Sequence, residues 1–97
     1  MKTIEEIKGI LALHMDELRG HFKVKELGVF GSYVRGEEKE ASDIDVLVEF
    51  EEPVSLLGLV SLENHLSDLF GVNVDLVPKG EIRQELKEKI IKEVVYL

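Results

Sequence analysis

Asp43-Ile44-Asp45 sets two carboxylates at the head of an alternating stretch that runs from Ile44 to Phe50. In an extended chain, positions i and i+2 point to the same face, so both acids are aimed at one spot. Two anions that close repel each other, and one is driven toward protonation unless a cation lies between them. A divalent ion resolves the conflict. Magnesium takes oxygen ligands at about 2.0–2.1 Å, usually one or two carboxylates plus substrate phosphates. The pair alone is also what a solvated strand edge looks like. A third acid, Asp75, stands inside the apolar run Val-Asn-Val-Asp-Leu-Val. A carboxylate there is costly to bury without a partner. Neighbouring strands lie about 4.8 Å apart, so pairing of this run with the 44–50 strand would carry Asp75 to the same site. On an edge strand it would simply be exposed.

Gly31-Ser32 follows directly on the apolar run Leu27 to Phe30. Glycine lets the backbone come close to a ligand, and the serine hydroxyl with nearby amides can bind phosphate oxygens. Gly-Ser is also a common turn, so taken alone it is a weak signal. Arg35 lies three residues past Ser32, one helical turn on, where it could reach a phosphate, pair with a site carboxylate or stay solvated. Ser42 reads as a cap or loop hydrogen-bonder. His14, His21 and His65 have no metal-ligand spacing and read as ordinary helix residues. Neither a Ser/His/Asp hydrolase order nor a P-loop is present.

The elements that must position these groups are readable in outline. Thr3 and Glu6 form a capping box, and Ile4, Ile7, Leu11, Met15 and Leu18 make one apolar face of a helix to about residue 20, closed by Gly20. Leu27 to Phe30 reads as a buried strand, Tyr33 to Gly36 as one helical turn, and residues 37 to 42 as an exposed loop. Along Ile44 to Phe50, Ile44, Val46, Val48 and Phe50 face one way, and Asp45, Leu47 and Glu49 face the other. Residues 55 to 70 read as a helix stopped by Gly71, with Leu59, Leu62, Leu66, Leu69 and Phe70 on one face. Val72 to Val77 reads as a strand, and residues 81 to about 95 as a last helix along Ile82, Leu86, Ile90 and Val94. Glu85–Lys89 and Glu88–Lys92 in it sit at the favourable i, i+4 spacing. The order is an α/β domain with one small sheet.

The 97 residues fit a single domain spanning 1–97 with a modest core. No cysteine is present, which excludes disulfides and thiol chemistry. No apolar run approaches the roughly 18 residues of a membrane span. The N-terminus lacks an apolar signal core, so a cytoplasmic location and no membrane partner are expected. A formal net charge of −8 repels a phosphate backbone, which disfavours nucleic acid as a partner. The C-terminal stretch Ile90 to Leu97 holds more apolar residues than one helix face can bury. Ile91 and Val95 are therefore candidates for contact with a partner or with a second copy of the chain.

Together the stretch Gly31-Ser32-Tyr33-Val34-Arg35-Gly36, then Ser42-Asp43-Ile44-Asp45-Val46-Leu47-Val48-Glu49-Phe50, and finally Val74-Asp75-Leu76-Val77 resembles the nucleotidyltransferase superfamily of DNA polymerase β. The closer match is to the minimal nucleotidyltransferase (MNT) family, over nearly the whole chain. The resemblance implies a small mixed β-sheet flanked by helices, the polymerase β palm-like fold. It implies that Gly31 and Ser32 hold a triphosphate, with Arg35 matching a family arginine. It implies that Asp43, Asp45 and Asp75 bind magnesium or manganese, and that Asp75 helps activate the incoming hydroxyl. It further implies an antitoxin that transfers AMP from ATP to a tyrosine hydroxyl of a HEPN-domain toxin encoded beside it. The competing expectation is a binding module that neutralises the same partner by contact, with a secondary nucleotide site. Modification of a small molecule such as an aminoglycoside is disfavoured, because no extra elements are present to grip one.

Overall fold

The computed structural model of the chain describes residues 3–37 and 43–97. Ser42 and residues 38–41 of the expected loop lie outside the described residues. The first helix, α1, runs Ile4–His21. Thr3 caps it by accepting from the Glu6 amide at 3.2 Å. Gly20 does not close the helix. α1 runs through it, and the Phe22 amide bonds to the Leu18 carbonyl at 3.1 Å, because Phe22 is held against the core.

Strand β1, Val24–Phe30, begins three residues earlier than the apolar run suggests. Its pairing with β2, Ile44–Phe50, shifts register between Val24 and Glu26. That bulge lets Val24, Leu27 and Val29 all reach one core despite their uneven spacing. A four-residue helix, α2 (Ser32–Arg35), stops at Gly36. Helix α3, Leu56–Phe70, is capped by Ser55, whose hydroxyl accepts from the Gly58 amide at 3.1 Å, and it ends at Gly71. Strand β3 is Val74–Pro78, followed by a 3₁₀ turn at Lys79–Glu81.

Helix α4, Gln84–Glu93, is shorter than its periodicity suggests. The chain leaves it at Val94 to form β4, Val95–Tyr96, a strand on the free edge of β1. The expected inner stripe is only partly formed: no residue of α4 is fully buried, and Leu86 is exposed. Val95 is therefore a strand residue rather than part of an outer helical patch, Leu97 packs against the core, and Ile91 stays exposed. Glu88 and Lys92 do pair, at 3.0 Å.

The sheet order is β3-β2-β1-β4. β1 is antiparallel to β2 and β4, while β2 and β3 run parallel, so the sheet is mixed, as the motifs imply. Ile7, Leu11 and Leu18 of α1 and Leu62, Leu66 and Phe70 of α3 cover one sheet face. The outer edge of β3 is blocked by side chains of α3. Ser67 accepts from the Val74 amide and Glu63 from the Leu76 amide, both at 3.0 Å, so this edge offers fewer free donors to a foreign strand. The opposite sheet face carries Asp45, Leu47 and Glu49. Leu47 is buried there too, beyond what strict alternation suggests.

Gly28, paired with both Leu47 and Tyr96, explains how the C-terminal segment reaches that face. A Cβ on Gly28 would lie 2.5 Å from Val94 Cγ2 and 3.1 Å from Tyr96 Cδ1. Glycine leaves the space that Val94 fills. Gly28→Ala is expected to cost about 1–3 kcal/mol by overpacking, read as a lower urea midpoint at unchanged m-value. An unchanged midpoint would show that Val94 does not depend on this gap.

Candidate active site

The acids gather at one end of the sheet because β2 and β3 run in the same direction. Their register sets Asp45 opposite Asp75, and on the other side β1 sets Phe30 opposite Asp45. Asp43 immediately precedes β2 and is exposed, as is Asp75, while Asp45 between them is half-buried. The strand pairing on which the joint site depended is thus present. Burial, followed by the charges of Asp75 and Asp43, pushes the Asp45 carboxyl up to about 6, with Arg35 pulling the other way and Glu93 adding to the rise.

Gly31 is wedged against this cluster. Its φ of +82° lies where side chains are rarely accommodated, and a Cβ would fall 2.1 Å from Asp45 Oδ2. Only glycine lets the chain turn from β1 into α2 while touching the central acid. Ser32 follows as the first residue of α2 and is half-buried. Tyr33 fills the core behind it.

Arg35 does not pair with the triad. It bonds to Glu37 through Nε and to Glu93 Oε1 through Nη1 at 2.8 Å. These partners raise its already high pKa, Glu37 most strongly. Glu93, which the motifs did not single out, is the further member of the site. The Gly31 amide donates to the same Glu93 Oε1 at 2.5 Å. The contact continues the β1–β4 ladder: Val29 faces Val95 in antiparallel register, so Gly31, two residues on, meets Glu93, two residues back. The signal in the sequence was an acid just before the apolar Val94-Val95 pair, legible only once that pair is known to be a strand.

The donor set suits a hard divalent cation: carboxylate oxygens only, in a place where the charge of the central acid is disfavoured without one. Among the described residues no three histidine or acidic side chains are grouped closely enough to hold a metal ion by themselves. His14 bonds to the Ile10 carbonyl at 2.8 Å. His65 lies 2.9 Å from Glu17, outside hydrogen-bond geometry, and stacks near Phe22 at 5.0 Å. Both stay away from the acids. A cavity of about 860 Å³, lined in part by Phe50, Leu56, Leu59, Pro78 and Lys87, opens at the other end of β2 and shares no residue with the site.

The sequence model of the family described as Nucleotidyltransferase domain matches residues 11–97. A Thermococcus cleftensis protein named protein adenylyltransferase MntA is 53% identical over 97 residues, covering 100% of this chain and 98% of its own length. A solved structure assigned to the minimal nucleotidyltransferases superposes with a TM-score of 0.74 at 34% identity, covering 96% of this chain and 90% of its own. A complex of the tri-AMPylated Shewanella oneidensis HEPN toxin with an MNT antitoxin matches with a TM-score of 0.64 at 21% identity, over 93% of this chain and 66% of that one. At that identity the likeness is one of fold.

The raised Asp45 carboxyl has a thermodynamic consequence. Its folded value of about 6 stands above the ordinary 3.8, so the folded state holds this proton more tightly than the unfolded state. Stability of the metal-free protein therefore falls as pH rises between those two values, and the full penalty is present above about pH 6. Asp45→Asn removes the ionisation. The variant is expected to match the wild type at acidic pH and to exceed it by about 1 kcal/mol at neutral pH, after allowance for solvent screening. Urea melts at two pH values check this; equal stability at neutral pH would mean that the charge is not penalised.

Proposed function

The chain belongs to the nucleotidyltransferase domain family, and we propose that it transfers AMP from ATP to a tyrosine hydroxyl of a HEPN-domain toxin, as the antitoxin of the pair. The observation that carries this reading is the register of Asp45 opposite Asp75 with Gly31 pressed against Asp45. A full-length relative named for protein adenylyl transfer supports the reaction class. The tyrosine acceptor, the HEPN partner and the metal requirement rest on the resemblance of the motifs.

In this reading Asp43, Asp45 and Asp75 hold magnesium or manganese. Bound there, the cation would offset carboxylate charge and polarise the phosphates. Gly31 and Ser32 cradle the triphosphate, and Arg35 neutralises it from one helical turn away. The tyrosine oxygen attacks the α-phosphorus. The bond from that phosphorus to the oxygen bridging to the β-phosphate breaks, and pyrophosphate leaves with the electron pair. The hydroxyl proton passes toward Asp75, exposed beside the central acid. The protein mainly positions groups and balances charge, as is general in phosphoryl transfer.

ATP with magnesium is expected to raise the melting temperature, by linkage worth about 2.7 kcal/mol at a hundred times Kd. The chemistry is tested by incubating the chain with each nucleoside triphosphate, magnesium and the candidate HEPN protein, then weighing both proteins by mass spectrometry and mapping the adduct. AMP on a tyrosine of the partner is expected. Asp43→Asn with Asp45→Asn should lower the rate by more than the roughly 100-fold typical of changes in a metal's outer shell. The fold should persist, because the core face of β2 is untouched. Undiminished transfer by that double variant rejects the catalytic assignment. Neutralisation of the toxin without any adduct favours the contact-only antitoxin.

A further inference from the structure

Glu93 engages two groups that the proposed reading assigns to the triphosphate. One carboxylate oxygen, Oε1, accepts from the Gly31 amide at 2.5 Å and from Arg35 Nη1 at 2.8 Å. These are two of the donors assigned to the triphosphate. A backbone N–H has a single hydrogen and serves one good acceptor at a time. A phosphate oxygen and the Glu93 carboxylate therefore cannot share the Gly31 amide, and two anions brought that close would also repel.

We propose that Glu93 is a built-in competitor for the nucleotide's phosphates, holding the Gly31 amide and the Arg35 guanidinium until a triphosphate displaces it. The inference rests on the reading of this site as a nucleotide site. The carboxylate is well placed for such an exchange. It ends a flexible side chain on the last residue of α4, so it can swing away while the backbone stays anchored by Val94 against Gly28. Arg35 keeps a second carboxylate, that of Glu37, on its Nε, so it stays oriented during the exchange. Glu37 is the more exposed of the two, with its side chain 59% accessible against 14% for Glu93. The carboxylate touching the Gly31 amide is thus the more enclosed one, whose charge a phosphate would feel most. With Glu93 in place both donors have an acceptor within the protein itself. The cost is weaker nucleotide binding.

Glu93→Gln keeps an acceptor oxygen for the Gly31 amide and removes the charge. With a non-hydrolysable ATP analogue and magnesium, calorimetry on the full chain should show binding about three- to tenfold tighter than wild type. Glu37→Gln removes an equal charge from Arg35, but one that does not touch the Gly31 amide, so it should tighten binding less. On the wild-type protein, the ¹³C carboxyl resonance of Glu93 should move toward that of a solvent-exposed glutamate as the analogue saturates. This measurement decides the matter if the Gln variant does not fold. Binding unchanged or weakened by Glu93→Gln overturns the proposal and makes Glu93 a positioning residue for Arg35. So does an equal gain from Glu37→Gln, or a Glu93 resonance that stays fixed while the analogue binds. If wild type and both variants all fail to bind the analogue, the nucleotide reading of the site itself falls, and this inference with it.

Discussion

Asp45 holds a half-buried carboxylate between two others, and this repulsion is the constraint to which the rest of the site answers. An acid in such a place stays ionised only if opposite charge or hydrogen bonding compensates for lost solvation and like-charge neighbours. Among the described residues nothing compensates fully: the nearby arginine is shared between two glutamates, and the carboxyl is raised to about 6. The sheet enforces the conflict. A parallel β2–β3 pair in this register must place Asp45 beside Asp75, and the core contacts of Ile44, Val46, Val74 and Leu76 lock that register, since a slip by one residue would turn the apolar set outward. The hydrophobic core thus supplies the force that holds the anions together, and a bound cation with substrate phosphates would remove the resulting strain.

Gly31 shows how closely the backbone is drawn into this arrangement. Its conformation and the missing Cβ are needed at the same point: one turns the chain from β1 into α2, the other leaves room for Asp45 Oδ2. The glycine of the Gly-Ser pair is therefore explained by contact with the acid as much as by ligand approach. The sequence pattern treats the two motifs as separate, and the structure makes them neighbours.

What could be read in advance was local. The alternation in β2, the threonine cap of α1, the glycine stop of α3, and the apolar faces of α1 and α3 follow from short-range periodicity and capping, and their apolar faces met in one core. Asp75 could be placed only conditionally, because its role depended on which strand β3 chose as neighbour. The misreadings came where tertiary packing overrides local preference. Residues 94–97 continue a helical apolar stripe, yet the open edge of β1 offers backbone partners, including a Leu97 amide bond to the Leu27 carbonyl at 3.0 Å. Gly20 looked like a stop, but a glycine inside a helix costs only about 1 kcal/mol, and the packing of Phe22 against the core sets where α1 ends.

Glu93 was hidden for a related reason, and its place follows from the ladder. Antiparallel strands advance in opposite directions, so pairing Val95 with Val29 leaves no freedom in what meets Gly31: the residue two before Val95, which is Glu93. That pairing in turn needs Gly28, whose missing side chain admits Val94. A gap in the middle of β1 therefore sets the position of a carboxylate at its end, 62 residues away along the chain from the amide it touches. The donors that face the acids are thereby tied to the packing of the C-terminal segment. Any change that loosens β4 from β1 alters how the Gly31 amide and Arg35 are held, even though β4 contributes no acid to the site.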